Sequence, residues 1–127
     1  MITVRGRVVR GQGMGRKLGF PTANIKVPAG AKPPRGVWKV LVKGTTVGER
    51  VGACNVGVRP TLGGVRLVVE VHVPGHTGSL YGRTLTLRFL SKIRSERKFA
   101  SLAALKAHIR KDVASLTRKS ASGTINS

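Results

Sequence analysis

The sequence predicts a mainly β fold, a closed and mostly antiparallel barrel carrying one C-terminal helix packed on it. Two observations predict it. Short apolar stretches separated by Gly and Pro fill the first ninety or so residues, the spacing of an all-β domain. The last third then changes to three- and four-residue apolar steps, the period of a helix.

Strands are expected at about Thr3–Arg10, Val37–Lys43, Arg50–Val58, Arg66–Val73 and Thr84–Leu90, with a shorter one at Ala23–Val27. The break at Lys43-Gly-Thr-Thr46 signals a hairpin, and Gly63-Gly64 signals another. In the last third, Leu102, Leu105, Ile109, Val113 and Leu116 form one helical stripe, expected to pack against the barrel. Ser101 is the expected N-cap, and Arg118 and Lys119 fall where the helix dipole favours cations. Residues 1–117 are thus read as one domain and 118–127 as a polar, disordered tail.

The chain has 127 residues, 40% of them apolar, enough for a single modest core. Twenty-four basic residues face four acids (Glu49, Glu70, Glu96 and Asp112), a formal charge of +20. Such a field attracts polyanions of any kind and does not choose among them. The lone Cys54, inside an apolar run, excludes an internal disulfide and reads as a buried structural thiol. No signal peptide or membrane-length apolar run is present, so a cytoplasmic protein without a membrane partner is expected.

The segment Gly11-Gln-Gly-Met-Gly-Arg-Lys-Leu-Gly-Phe-Pro-Thr-Ala-Asn-Ile25 carries the densest chemistry. Its glycines free the backbone to approach an anion, and Arg16 and Lys17 supply charge. Thr22 and Asn24 alternate on an extended segment fixed by Pro21, so both oxygens face one side, a pattern suited to Mg²⁺ beside phosphates. An ordinary turn, with Thr and Asn capping backbone groups, uses the same residues.

Glu70 is the second candidate. It alternates with Val69 and Val71, so it shares a strand face with Val68 and His72. As a carboxylate it can accept a proton from a bound hydroxyl during phosphoryl transfer. A strand-surface glutamate paired with an arginine fits the same pattern. Tyr81 either lies over a base or closes a turn. Arg94, Arg97 and Lys98 with Glu96 form either a self-paired charge cluster or a grip on an aromatic or anionic ligand.

Four blocks in order closely resemble the riboflavin kinase family: Gly6–Gly11 with Leu18-Gly-Phe-Pro-Thr-Ala-Asn-Ile25; Asn55-Val-Gly-Val-Arg-Pro-Thr61 with Gly63-Gly64; Val69-Glu-Val-His72 with Leu80-Tyr-Gly82; and Arg94-Ser-Glu-Arg-Lys-Phe99 with Ser101-Leu102. The resemblance spans about Ile2 to Val113. It implies a six-stranded antiparallel, Greek-key-like barrel with a C-terminal helix, and ATP-dependent phosphorylation of the ribityl 5′-hydroxyl of riboflavin to give FMN and ADP. By motif position it implies that Thr22 and Asn24 bind magnesium–ATP and that Glu70 is the catalytic base. Gly11 and Lys17 then approach the nucleotide with Tyr81 beside it, and Arg94 lies on the flavin side.

Three departures accompany the resemblance. Met14 stands where the family usually has arginine, the 74–79 loop lacks the acids common there, and no His-x-Gly-His segment for a second, adenylyl-transferring domain is found. The expected protein is a monomer that makes FMN and stops there. The competing class is a basic barrel that binds RNA or DNA, or a kinase that also docks on nucleic acid. Its five aromatic residues (Phe20, Trp38, Tyr81, Phe89 and Phe99) form no stacking row.

Overall fold

A computed structural model describes residues 2–11 and 19–117. Lys17, Met14, Arg16, Arg118, Lys119 and the expected tail at 118–127 lie outside the described residues. Among the described residues, six strands and one helix follow in chain order: β1 Thr3–Val9, β2 Ala23–Lys26, β3 Gly36–Gly44, β4 Gly48–Thr61, β5 Gly64–His72, β6 Thr84–Arg94 and α1 Leu102–Ser115. All strand pairings are antiparallel, and the barrel closes in the order β1-β2-β5-β4-β3-β6. Strands β3, β4 and β5 follow one another as hairpins and β6 returns beside β3, which makes a Greek key.

Both glycine-marked hairpins form. Gly44 pairs with Gly48 at the end of β3–β4, and Thr61 pairs with Gly64 at the end of β4–β5. Gly63 sits in the second turn at φ +85°, backbone that a side chain disfavours. Two strands, β4 and β6, outrun their sequence estimates by the most. The β4 strand runs from Gly48 to Thr61 because its partners β3 and β5 both continue past the ends of the apolar run. The β6 strand reaches Arg94 across two register shifts against β3, at Val37/Trp38 and Lys39/Val40.

Strand alternation fills the barrel. Val4, Val8, Ala23, Ile25, Val40, Val42, Cys54, Val56, Val69, Val71, Leu85, Leu87 and Phe89 point inward into one core. Cys54 is fully buried, and its thiol is pushed above the ordinary range, first by desolvation and then by the nearby Glu70 charge. It is a core methyl-sized group that stays protonated. Among the described residues no helix is long and apolar enough to cross a membrane.

The helix begins where its cap predicts: the Ala104 amide donates to Ser101 Oγ at 3.1 Å. Its apolar stripe is only partly sealed on the barrel. Leu116 is buried and Leu102 is largely exposed, while Leu105, Ile109 and Val113 border a cavity instead. What ties α1 to the barrel is an ion pair. Arg94 at the end of β6 donates from Nε and NH2 to Asp112, at 2.9 Å for NH2–Oδ2, and Asp112 is buried. Removing Asp112 leaves the guanidinium without its fork partner in a largely dry place. Asp112→Ala is expected to lower stability by about 3 kcal/mol, read as an earlier thermal transition by circular dichroism with the strand signal retained below it.

Candidate functional site

The outer face of β2, β5 and β4 builds the site. Register places Asn24 opposite Glu70 across β2–β5, and Asn55 opposite Glu70 across β4–β5. The inward neighbours Ala23, Val69, Val71, Cys54 and Val56 fix that row by burying the alternate positions. Thr22 lies just before β2, where its hydroxyl donates to Glu70 Oε1 at 3.4 Å. That is long for a hydroxyl–carboxylate bond, so both oxygens remain free to take stronger partners. The Oδ1 of Asn55 is buried and has no partner among the described residues, an orphaned acceptor beside the carboxylate.

Two contacts hold the segment that presents Thr22. His72, on the same face as Glu70, meets Pro21 O through Nδ1 at 2.7 Å. Phe20 stands edge-on to the His72 ring, with centroids 5.6 Å apart. On the opposite flank Gly11 lies flat against Asn24; a Cβ there would fall onto the Asn24 side-chain amide. The glycine is required by this close approach.

Two cavities meet at these residues. The larger, about 1070 Å³, opens between the outer barrel face and α1. Asn24, Glu70, Asn55 and Arg94 border it together with the apolar Val37, Val68, Leu105, Ile109 and Val113. The smaller, about 440 Å³, is bordered by Tyr81, Leu80 and His76. Gly11, Thr22 and Asn24 border both. Tyr81 is exposed, and the Arg10 guanidinium lies 4.9 Å from its ring centroid. Of the residues singled out in the sequence, Gly11, Thr22, Asn24, Glu70 and Arg94 therefore share one cavity, with Tyr81 next door.

The charge cluster before the helix is not self-paired. Glu96 accepts from Arg59 at 3.0 Å and lies 3.6 Å from Arg35, both distant in sequence, and its carboxylate rests on Gly57. Arg94 and Arg97 instead flank Phe99, which also meets the His108 ring at 4.8 Å. Desolvation, then Arg97, Arg94 and Lys111, hold the His108 imidazole below its usual range, so it adds no charge to this corner at neutral pH. Two site residues escaped the sequence reading. Asn55 opens one of the blocks that carry the resemblance, and Asp112 is an acid on the helix, but neither position names its partner.

Chemically, the row offers a carboxylate, a hydroxyl and two amide oxygens at the junction of an apolar chamber and a smaller one. No group of three or more His, Cys, Asp or Glu residues converges among the described residues. The donor set is hard, neutral oxygen with one carboxylate, which suits a cation that arrives on phosphates rather than a resident transition metal.

Comparison with known proteins gives a consistent picture. The family model described as flavokinase, riboflavin kinase, matches residues 1–120. The bifunctional riboflavin kinase/FMN adenylyltransferase of Escherichia coli (strain K12) is 43% identical over 109 residues, covering 86% of this chain and 35% of that protein. The chain thus spans about a third of the length of such relatives. The RNA-binding riboflavin kinase RibR of Bacillus subtilis (strain 168) is 36% identical over 122 residues, 94% of this chain and 51% of that one. Among solved structures, a riboflavin kinase from Trypanosoma brucei superposes with a TM-score of 0.61 at 28% identity, covering 88% of this chain and 72% of that one. A structure described as a macrolide-efflux protein from Streptococcus pneumoniae gives 0.83 at 29% identity, covering 93% and 39%.

The Gly11–Asn24 contact has a direct test. Gly11→Ala is expected to fold with a near-unchanged melting temperature, because Gly11 is exposed and outside the core. By displacing Asn24 it is expected to weaken binding of magnesium–ATP, the ligand the motif resemblance implies here, about tenfold or more, about 1.4 kcal/mol, measured by titration calorimetry.

Proposed function

The chain belongs to the riboflavin kinase family, and from that membership we propose that it transfers the γ-phosphoryl group of ATP to the ribityl 5′-hydroxyl of riboflavin, giving FMN and ADP. The observation that carries this reading is the meeting of Thr22, Asn24 and Glu70 where the two cavities join. The larger chamber has the apolar walls and volume for a tricyclic flavin. The smaller one, beside Tyr81 and Gly11, takes the nucleotide, with Lys17 assigned to its phosphates by motif position. Arg94, with its fork held by Asp112, lends the flavin side a fixed positive plane.

In the transfer, Glu70 accepts the proton of the 5′-hydroxyl as that oxygen forms its bond to the γ-phosphorus. The bond from phosphorus to the bridging oxygen breaks, and ADP leaves with the electron pair. Thr22 Oγ1 and Asn24 Oδ1 are the groups that would hold Mg²⁺, which when bound neutralises phosphate charge. Asn55 Oδ1, an acceptor with no protein donor among the described residues, orients a hydroxyl or N–H of the flavin substrate beside Glu70. A closed barrel leaves no strand edge for a second copy, which supports a monomer. The free, buried Cys54 is at home in a reducing cytoplasm.

Incubation with riboflavin, ATP and Mg²⁺ is expected to yield FMN by chromatography. Glu70→Gln keeps the shape and removes the proton acceptor, and is expected to lower kcat by roughly 10²–10⁴-fold. A variant with full activity would remove Glu70 as the base. Asn55→Ala is expected to act on the riboflavin KM, raising it about tenfold for one lost hydrogen bond in a dry site, while leaving the KM for ATP unchanged.

A further inference from the structure

The acids of this chain are all spoken for. Glu49 pairs with Lys43, Glu70 sits in the site with Thr22, Glu96 holds Arg59 and Arg35, and Asp112 holds Arg94. On the outer face of β1, β6 and β3, cations and hydroxyls alternate around Leu41, which lies opposite Arg88. Register sets Arg88 opposite Thr3, Arg5 opposite Thr86 and Arg7 opposite Thr84, and continues to Lys43 beside Thr86 and, at the edge shared with the larger cavity, to Lys26 beside Arg7. Lys39 faces Ser91 in the same sheet. Arg5, Arg7, Lys26, Lys43 and Arg88 are exposed, and Glu49 at one corner is the single carboxylate of the face.

We propose that this face docks on the backbone of double-stranded RNA. Two-residue steps along a strand separate its cations by about 7 Å, and strands lie about 5 Å apart, so several phosphates are met at once without side-chain rearrangement. Arginine forks and threonine hydroxyls are the usual phosphate ligands. The interleaved hydroxyls also match the 2′-hydroxyls displayed along the wide, shallow minor groove of an A-form helix, which B-form DNA lacks. The face carries no aromatic ring: Trp38 and Phe89 turn into the core and Tyr81 borders the nucleotide-side cavity. It therefore lacks the stacking platform of single-strand binders. The middle strand of this face, β6, lies across the closed barrel from β5, which carries Glu70.

The test is fluorescence anisotropy of the whole chain with a labelled 20-base-pair RNA over a potassium chloride series, with the same duplex in DNA and phosphatidylglycerol vesicles as further arms. Expected are binding of RNA ahead of DNA and vesicles, and a log–log salt slope near −0.9 for each phosphate neutralised. Arg5→Gln/Arg7→Gln/Arg88→Gln is expected to weaken binding at least tenfold and to flatten the slope by about 2 to 3. Thr86→Glu, which removes no cation but sets a carboxylate between Arg5 and Lys43, is expected to weaken it too. Arg5→Lys/Arg7→Lys/Arg88→Lys is expected to keep binding, and FMN formation is expected to be unchanged in all of these variants, so the two readings fail separately. Unaltered affinity and slope in both the glutamine and the glutamate variants would overturn the assignment of this face. Equal or tighter binding of DNA would overturn the choice of RNA, and preferred binding of vesicles would overturn nucleic acid altogether.

Discussion

The pairing of β2 with β5 is the constraint on which the site and much of the core depend together. It places Ala23 opposite Val71 inside the barrel and Asn24 opposite Glu70 outside it. A slip of one residue would turn Glu70 into the core and Val69 and Val71 into the cavity, exchanging good burial for an uncompensated buried charge. Because β2 is only four residues long, few bonds define its register. The burial of Ala23 and Ile25 on one face supplies the rest of the specification. Stability and site geometry are here one choice, made by alternation.

Around that row, charge is arranged by scarcity. With four acids against twenty-four bases, three of the carboxylates stand where their absence would be felt. Asp112 fastens α1 to β6 and thereby forms one wall of the larger cavity. Glu96 draws Arg35 and Arg59 together over Gly57 at the same rim. Glu70 alone makes no ion pair among the described residues, being met by a hydroxyl and flanked by two amides. A carboxylate left unpaired in a chain this basic is unusual, and its isolation keeps it available to a proton rather than to a guanidinium. Part of the surplus stands on the outer face of β1, β6 and β3, where Arg5, Arg7, Lys43 and Arg88 are exposed.

The helix shows what a periodic pattern does and does not say. The stripe from Leu102 to Leu116 correctly marks an amphipathic helix, and Ser101 its start. The pattern does not distinguish burial against a sheet from facing a chamber, since both favour the same side chains. Leu105, Ile109 and Val113 border the cavity, whereas Asp112 and Leu116 make the buried anchor. Likewise Arg94 reads equally well as a surface charge or a ligand contact until its partner, eighteen residues on, is seen.

By itself the sequence determined the barrel class, the six strand positions, both glycine turns and the helix with its cap. These follow from local period, turn chemistry and alternation, which are properties of neighbouring residues. It also marked Thr22, Asn24 and Glu70, because an extended segment aims alternate side chains to one side. Only the tertiary structure decided that these three meet, since contact between positions 22 and 70 is a matter of strand order and register. The same holds for Asn55 beside Glu70, for Asp112 on Arg94 and for the division of one site between two chambers. Each is a meeting across the barrel between residues that carry no local mark of one another, and barrel closure alone brings them together.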